Sequence, residues 1–238
     1  MRSWWFMERV FRQEKKYMLN YLEFRKYSNL FGQVLISDSH NDVEGYTVRS
    51  LYFDTINNKD YYSKEIGLEI RRKIRLRTYS PDSDFAMLEI KQKQGENQIK
   101  RSLKINREDA LELTKGNYEC LLNYKEDFAL ECYTYMKTEG YKPVCIVEYK
   151  RKAYICKENK IRITFDSNIV ATESNFNIFD KNLSMYPVFP KFNVILEVKY
   201  NGFLLGYVKD LISNVDKNLI SASKYTMART VSLNYVYI

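Results

Sequence analysis

The run Glu69-Ile70-Arg71-Arg72-Lys73-Ile74-Arg75-Leu76-Arg77 alternates charge with apolar side chains. Successive side chains of a strand point to opposite faces, so Glu69, Arg71, Lys73, Arg75 and Arg77 share one face. Ile70, Ile74 and Leu76 share the other, with Arg72 as the one charged residue among them. Four cations in file repel one another, and a solvated face is better served by mixed signs. Such a file makes sense where something strongly anionic lies along it.

The same period of two finds further faces of this kind on both sides of the run. Glu89, Lys91 and Lys93 oppose Leu88 and Ile90, and Arg162, Thr164 and Asp166 oppose Ile161, Ile163 and Phe165. Glu197 and Lys199 oppose Leu196, Val198 and Tyr200, while Glu14 and Lys16 share a face near the N-terminus. Lys100 and Lys104 share a face against Arg101, Leu103 and Ile105; a bulge would exchange the two sets, so Lys100 and Arg101 are both carried. In 147–153, Val147, Tyr149, Arg151 and Ala153 stand against Glu148, Lys150 and Lys152, and periodicity does not say which set turns inward.

Strands are expected at 11–17, 46–54, 66–79, 85–93, 98–105, 143–154, 160–166 and 192–200, with turns at Asn57-Asn58-Lys59-Asp60 and Gln94-Gly95-Glu96-Asn97. Helices are expected at 18–31, from Arg107 behind an Asn106 cap, over about 124–138, and through 203–229. Hairpin-like turns make the sheet mostly antiparallel, giving an α+β chain of about eight strands with a helical insertion and a helical C-terminal part.

Two readings of the charged faces follow. In one, each strand shows its charges to water and its apolar side to a core, as half-buried antiparallel sheets do. In the other, the sheet closes into an eight-stranded β-barrel tunnel with flanking helices, and the charged faces line its lumen. Two details favour the lumen. Each charged face mixes Arg and Lys with a single acid, and Arg-x-Arg spacing presents two forks to neighbouring phosphates. Cations would neutralise a triphosphate, and carboxylates would hold Mg²⁺ or Mn²⁺, which prefer oxygen ligands.

Composition narrows the field. At 238 residues the chain reads as a single domain spanning 1–238, and 45% hydrophobic content is enough for a core. A net charge of +8 calls for an anionic partner. Twenty-one Tyr and 13 Phe against 8 Gly and 4 Pro suit long strands. Cys120, Cys132, Cys145 and Cys156 form no CxxC pair, so zinc and dithiol chemistry are disfavoured. The single histidine, His40, lies in a polar Ser-His-Asn-Asp stretch and reads as a surface residue, which argues against His-based triads. The apolar run at Met1–Glu8 is too short for a leader, and no membrane span is expected, so the protein is expected to be cytoplasmic.

Nine short motifs in order resemble the VTC domain, the polyphosphate polymerase module of the triphosphate tunnel metalloenzyme (CYTH-like) superfamily. They are Glu14-Lys15-Lys16-Tyr17, Ser50-Leu51-Tyr52-Phe53-Asp54-Thr55, Arg75-Leu76-Arg77-Thr78-Tyr79, Leu88-Glu89-Ile90-Lys91 and Lys100-Arg101. The series continues with Glu148-Tyr149-Lys150-Arg151-Lys152-Ala153-Tyr154, Arg162-Ile163-Thr164-Phe165-Asp166, Leu196-Glu197-Val198-Lys199 and Ser223-Lys224-Tyr225. The resemblance implies a tunnel that binds ATP and a divalent metal, Mn²⁺ or Mg²⁺, and passes the terminal phosphoryl group to inorganic polyphosphate. It implies phosphate ligation by Lys16, Arg75, Arg77, Lys91, Arg151, Arg162 and Lys224, to which Lys100, Arg101 and Lys199 are added from the strand pattern. Arg75, Arg77, Lys91, Arg162 and Glu197 would be catalytic; Glu197 would hold the metal, with Glu14 and Glu89 as further candidates. It also suggests that the face of Arg151 is the inward one.

Bland readings stand beside these. Asp54 reads as the cap of the Asn57-Asn58 turn, Asp166 as the acceptor of a neighbouring Arg, Arg72 and Lys73 as solvated charges, and Lys224 as an ordinary helix lysine without the resemblance. A tunnel triphosphatase is the main rival. Hydrolases of the superfamily begin Glu-x-Glu-x-Lys, whereas here Arg12 replaces the first acid of Arg12-Gln13-Glu14-Lys15-Lys16, which favours a polymerase. A non-catalytic polyphosphate sensor or nucleic-acid module is a third reading, although the cations alternate with apolar residues rather than clustering beside aromatics, so no nucleic acid is expected.

Overall fold

The computed structural model describes residues 12–95, 97–213 and 219–233. The Met1–Glu8 reading, the Glu96 turn position and part of the helix expected over 203–229 lie outside the described residues. In chain order the elements are β1 (Arg12–Asn20), α1 (Tyr21–Val34), β2 (Ile36–Ser37), β3 (Tyr46–Thr55), α2 (Lys59–Glu65), β4 (Ile70–Thr78), β5 (Phe85–Gln94) and β6 (Asn97–Asn106). Then come α3 (Arg107–Thr114), α4 (Asp127–Thr138), β7 (Tyr141–Cys156), β8 (Ile161–Thr172), β9 (Tyr186–Pro187), β10 (Asn193–Asn201), α5 (Gly206–Ser213) and α6 (Lys224–Leu233).

One antiparallel sheet runs β1-β10-β8-β7-β3-β4-β5-β6, with β2 beside β7 and β9 beside β8. Its outer face is apolar and covered in two halves. Leu51, Phe53, Ile74, Leu76, Leu88, Ile90 and Ile105 pack with Leu113 of α3 and Ala129, Cys132 and Met136 of α4. Ile161, Ile163, Phe165, Leu196 and Val198 pack under Phe24, Tyr27 and Phe31 of α1 and Val208 and Ile212 of α5. Each fully buried side chain of this kind contributes about 1.5–3 kcal/mol, which sets which face turns outward to the helices. The charged face is therefore the concave one.

At one end the concave face is itself apolar and filled by α6. Tyr225 and Ala228 pack there against Tyr52, Val147, Tyr149 and Ile195, joined by Tyr61 of α2.

The expected closed barrel is corrected: the sheet is open. β1 pairs with β10 and β6 with β5, and the two edges form no ladder with each other. Instead, the segment before α6 lies along the free edge of β1, through a Tyr17–Leu219 bridge and an Ile220 N–H donated to the Lys16 carbonyl at 2.9 Å. That segment covers an edge that would otherwise present unpaired backbone groups. Side chains span the remaining gap, where Lys91 Nζ donates to Glu14 Oε2 at 3.3 Å.

Local signals explain most element ends. The Asn106 side chain accepts from the Asp109 N–H at 2.8 Å and starts α3 as expected. The helix expected from residue 18 begins at Tyr21, because Asn20 and Glu23 form a reciprocal capping box. The turn read at 57–60 opens helix α2, which the sequence reading lacked. Its orphan amides at Asp60 and Tyr61 are satisfied by Asp54, at 2.9 Å each, so Asp54 is a cap as read, but of a helix. The four cysteines are free, and no helix among the described residues is long and apolar enough to cross a membrane.

Candidate functional site

Three strands of one half carry the arginine file and its partner acid. Arg75 Nε donates to Glu89 Oε2 at 2.6 Å and Nη1 to Tyr52 Oη at 3.4 Å. Arg77 Nε donates to Ser50 Oγ at 3.2 Å, with Nη1 3.8 Å from Glu89. Lys100 on β6 pairs with the same Glu89. Burial alone would raise the Glu89 carboxyl, but Arg75, Arg77 and Lys100 outweigh it and hold it down at about 2.

The other half carries the remaining acids. Lys16 Nζ lies 3.1 Å from Glu14 and 3.5 Å from Glu197, and it donates to the Ala222 carbonyl at 2.8 Å. Lys199 also pairs with Glu197. Burial and the nearby Glu197 push Glu14 up, yet Lys16, Lys91 and Lys199 hold it at about 2; burial likewise opposes, and Lys199, Lys16, Lys224 and Arg151 win, for Glu197, which lies well below the usual range. Both are carboxylates at neutral pH.

Asp166 is fully buried. Arg151 grips it with two bonds of 2.7 and 2.8 Å, and Lys224 from α6 donates at 2.5 Å. The register pairs Arg151 with Asp166 on β8 and with Tyr46 on β3, which puts its side chain on the concave face. Arg162 stands nearer the rim, donating to Asp38 at 2.7 Å and Tyr46 Oη at 3.1 Å.

Lys16, Arg75, Arg77, Lys91, Lys100, Arg151, Arg162, Lys199 and Lys224 thus share one concavity with Glu14, Glu89, Asp166 and Glu197. Arg101 does not join them. It faces outward, donating to Glu131 of α4 at 2.6 Å and Gln92 at 3.0 Å, with its guanidinium over Phe128. The β5–β6 ladder pairs Phe85–Asn106 through Gln94–Asn97 in unbroken register, so no bulge exchanges the faces and Lys100 alone turns inward. Arg72 also faces out, against Glu139 at 2.8 Å and the Tyr135 ring. Lys73 faces in and donates to Ser223 at 2.5 Å.

Sequence reading missed several polar partners. Thr164 was legible, since it shares a strand face with Arg162 and Asp166, whereas Ser50 and Tyr52 lie on β3, which supplied no chosen residue, and meet Arg77 and Arg75 across the ladder. Asp38 and Ser223 carried no periodic signal, because they lie outside long strands and reach the site only through folding.

Glu89 and Asp166 have their oxygens taken by cations. Glu197 is likewise ion-paired, through Oε1 with Lys199 and through Oε2 with Lys16 at 3.5 Å, whereas the buried Oγ1 of Thr164, its register partner, makes no hydrogen bond. A buried hydroxyl left open beside this carboxylate calls for a water or ion. Among the described residues no three His, Cys, Asp or Glu side chains gather as a self-sufficient metal cage. Mg²⁺ and Mn²⁺ sites built from one or two carboxylates plus substrate phosphates need no such cage. Glu197 with Glu14 fits that donor set.

Crowding of like charge marks Lys73. Burial first, then Lys16, Lys91, Lys64 and Arg75, push its ammonium down to about 7; Lys91 lies at about 8. A bound polyanion would restore these charges. ATP binding at pH 8 is therefore expected to take up protons, and at pH 6, where both lysines are already charged, it should not. Calorimetry in buffers of different ionisation enthalpy measures this; a buffer-independent heat at pH 8 would contradict it.

A sequence profile of the VTC domain matches residues 11–233. No curated protein sequence matches the chain. Among solved structures, a Bacillus halodurans protein described as a "putative adenylate cyclase" is similar, with TM-score 0.51, 9% identity, and coverage of 90% of this chain and 96% of that one. A Vibrio parahaemolyticus protein described in the same words has TM-score 0.49 and 10% identity, covering 92% and 97%. At such identity the first likeness speaks for the fold alone. The profile covers every element that lines the concavity, and the chain belongs to the VTC domain family.

Proposed function

We propose that this protein transfers the terminal phosphoryl group of ATP to a growing inorganic polyphosphate chain, with Mn²⁺ or Mg²⁺ held by Glu197 and Glu14. The observation that carries this reading is the convergence of nine Arg and Lys side chains, from β1, β4, β5, β6, β7, β8, β10 and α6, on one concave face beside four ionised carboxylates. Phosphoryl transfer needs positioning and charge neutralisation more than a strong base. The acceptor phosphate is already anionic and needs no deprotonation, so a site without His or Cys is adequate.

The residues divide the work by position. Arg75 and Arg77 are held by Glu89, Tyr52 and Ser50, and Arg151 and Lys224 by Asp166, so these cations are oriented before substrate arrives. Preorganised charges of this kind stabilise developing negative charge without reorganising during the reaction. When bound, the divalent cation would supply further neutralisation at the phosphate oxygens.

Arg12 in place of the hydrolase acid favours transfer to phosphate over transfer to water. Incubation with ATP and Mn²⁺ is expected to yield a ladder of long polyphosphate on gels. Free phosphate without a ladder would assign the protein to the triphosphatases instead.

A further inference from the structure

The open mouth of the concavity, opposite the end filled by α6, carries three aromatic rings that the phosphate chemistry does not use. Tyr79 lies just past the end of β4, two residues after Arg77, and is 50% exposed. Its ring lies 6.1 Å from that of Tyr46, which lies 5.9 Å from His40, whose side chain is 78% exposed.

The shelf is fixed in place. Arg162 donates to Tyr46 Oη at 3.1 Å and to Asp38 at 2.7 Å, and Asp38 meets His40 Nδ1 at 2.9 Å. Asn41 ties the same loop to the Ala153 carbonyl at 2.6 Å. Two residues of chain span at most about 7 Å, so the backbone of Tyr79 lies within that distance of Arg77. That separation suits a planar ring at the rim with its phosphate tail directed inward. The other end has no room for such a ring, because Tyr225 stacks on Tyr52 there at 5.1 Å.

We propose that Tyr79, Tyr46 and His40 form a stacking shelf for the base of a nucleoside triphosphate whose phosphates extend inward to Arg162 and Arg77. This rests on the phosphoryl-transfer reading and adds to it the position of the nucleoside. Every base has a face for an aromatic ring, so the shelf would favour nucleotides over inorganic phosphates without choosing strongly among bases.

Calorimetric titration of the full chain with ATP, inorganic triphosphate and a single-stranded DNA oligomer tests it, using wild type, Tyr79→Ala and Tyr79→Phe. Tyr79 is half exposed, and thermal melts will establish that both variants fold. Tyr79→Ala is expected to weaken ATP binding by about 5- to 150-fold, the range of one base–aromatic stack, and to leave triphosphate binding unchanged. Tyr79→Phe should bind ATP as wild type does. Unchanged ATP binding in Tyr79→Ala, or equal weakening of ATP and triphosphate, overturns the shelf and leaves the phosphate site standing. Wild type that binds neither ATP nor triphosphate overturns both readings. Binding of the oligomer more tightly than ATP, lost in Tyr79→Ala, assigns the rings to nucleic acid and also overturns the proposal.

Discussion

Replacing Arg75 by alanine is expected to lower ATP turnover by about 10²-fold or more, about 2.7 kcal/mol of transition-state stabilisation. Arg75 sits mid-strand on β4, between Glu89 at 2.6 Å and Tyr52 Oη at 3.4 Å. Both partners hold the guanidinium in place and leave donors directed into the concavity. Its removal also frees Glu89, which would then repel an incoming phosphate with only Arg77 and Lys100 beside it. The informative control is Arg101→Ala. That residue carries the same charge two strands away, yet pairs with Glu131 of α4. Its loss should leave the rate within about twofold, because screening by water and salt removes most influence of an exposed outer charge. Initial rates of ATP consumption for the two variants decide the matter. Equal losses in both would mean that net charge matters and position does not; no loss in Arg75→Ala would remove it from the site.

Asp166→Ala is expected to destabilise the fold by about 3–5 kcal/mol, the range seen when one partner of a buried ion pair is removed. The carboxylate is fully buried and satisfies both Arg151 and Lys224. Its loss leaves two cations unpaired in the interior and detaches the first residue of α6 from the sheet. A lower midpoint of urea unfolding with an unchanged slope would show this. A loss below about 1 kcal/mol would mean that the pair is as weak as a surface salt bridge. The pH dependence has a fixed sign. Burial would raise this carboxyl, but Arg151 and Lys224 hold it at about 2, below its ordinary value of 3.8. A depressed folded value stabilises the native state above pH 3.8, and the contribution is lost as pH falls toward 2. Wild type should therefore lose stability through that window more steeply than Asp166→Ala.

The amino-acid sequence by itself determined which side chains share a face. Period two in Arg71–Arg77, Glu89–Lys93, Arg162–Asp166 and Glu197–Lys199 separated charge from the apolar side, and the alternation survives folding because strand geometry is local. The tertiary structure alone decided where those faces point. Helices α1, α3, α4 and α5 cover the apolar side, which leaves the charges on the concave one. It also decided the residues that periodicity left open. Arg151 turns inward because its ladder partners are Tyr46 and Asp166, and Arg101 turns outward because the β5–β6 register has no bulge. Helix α2 was invisible because its cap, Asp54, belongs to the preceding strand rather than to the helix N-terminus. The helix expected over 203–229 separates into α5 and α6 because residues 219–220 are claimed by the edge of β1, and that pairing exists only after the sheet has curled. Pairing partners distant in sequence carry no local signal, so the open seam and the α6 plug emerge only from the assembled sheet.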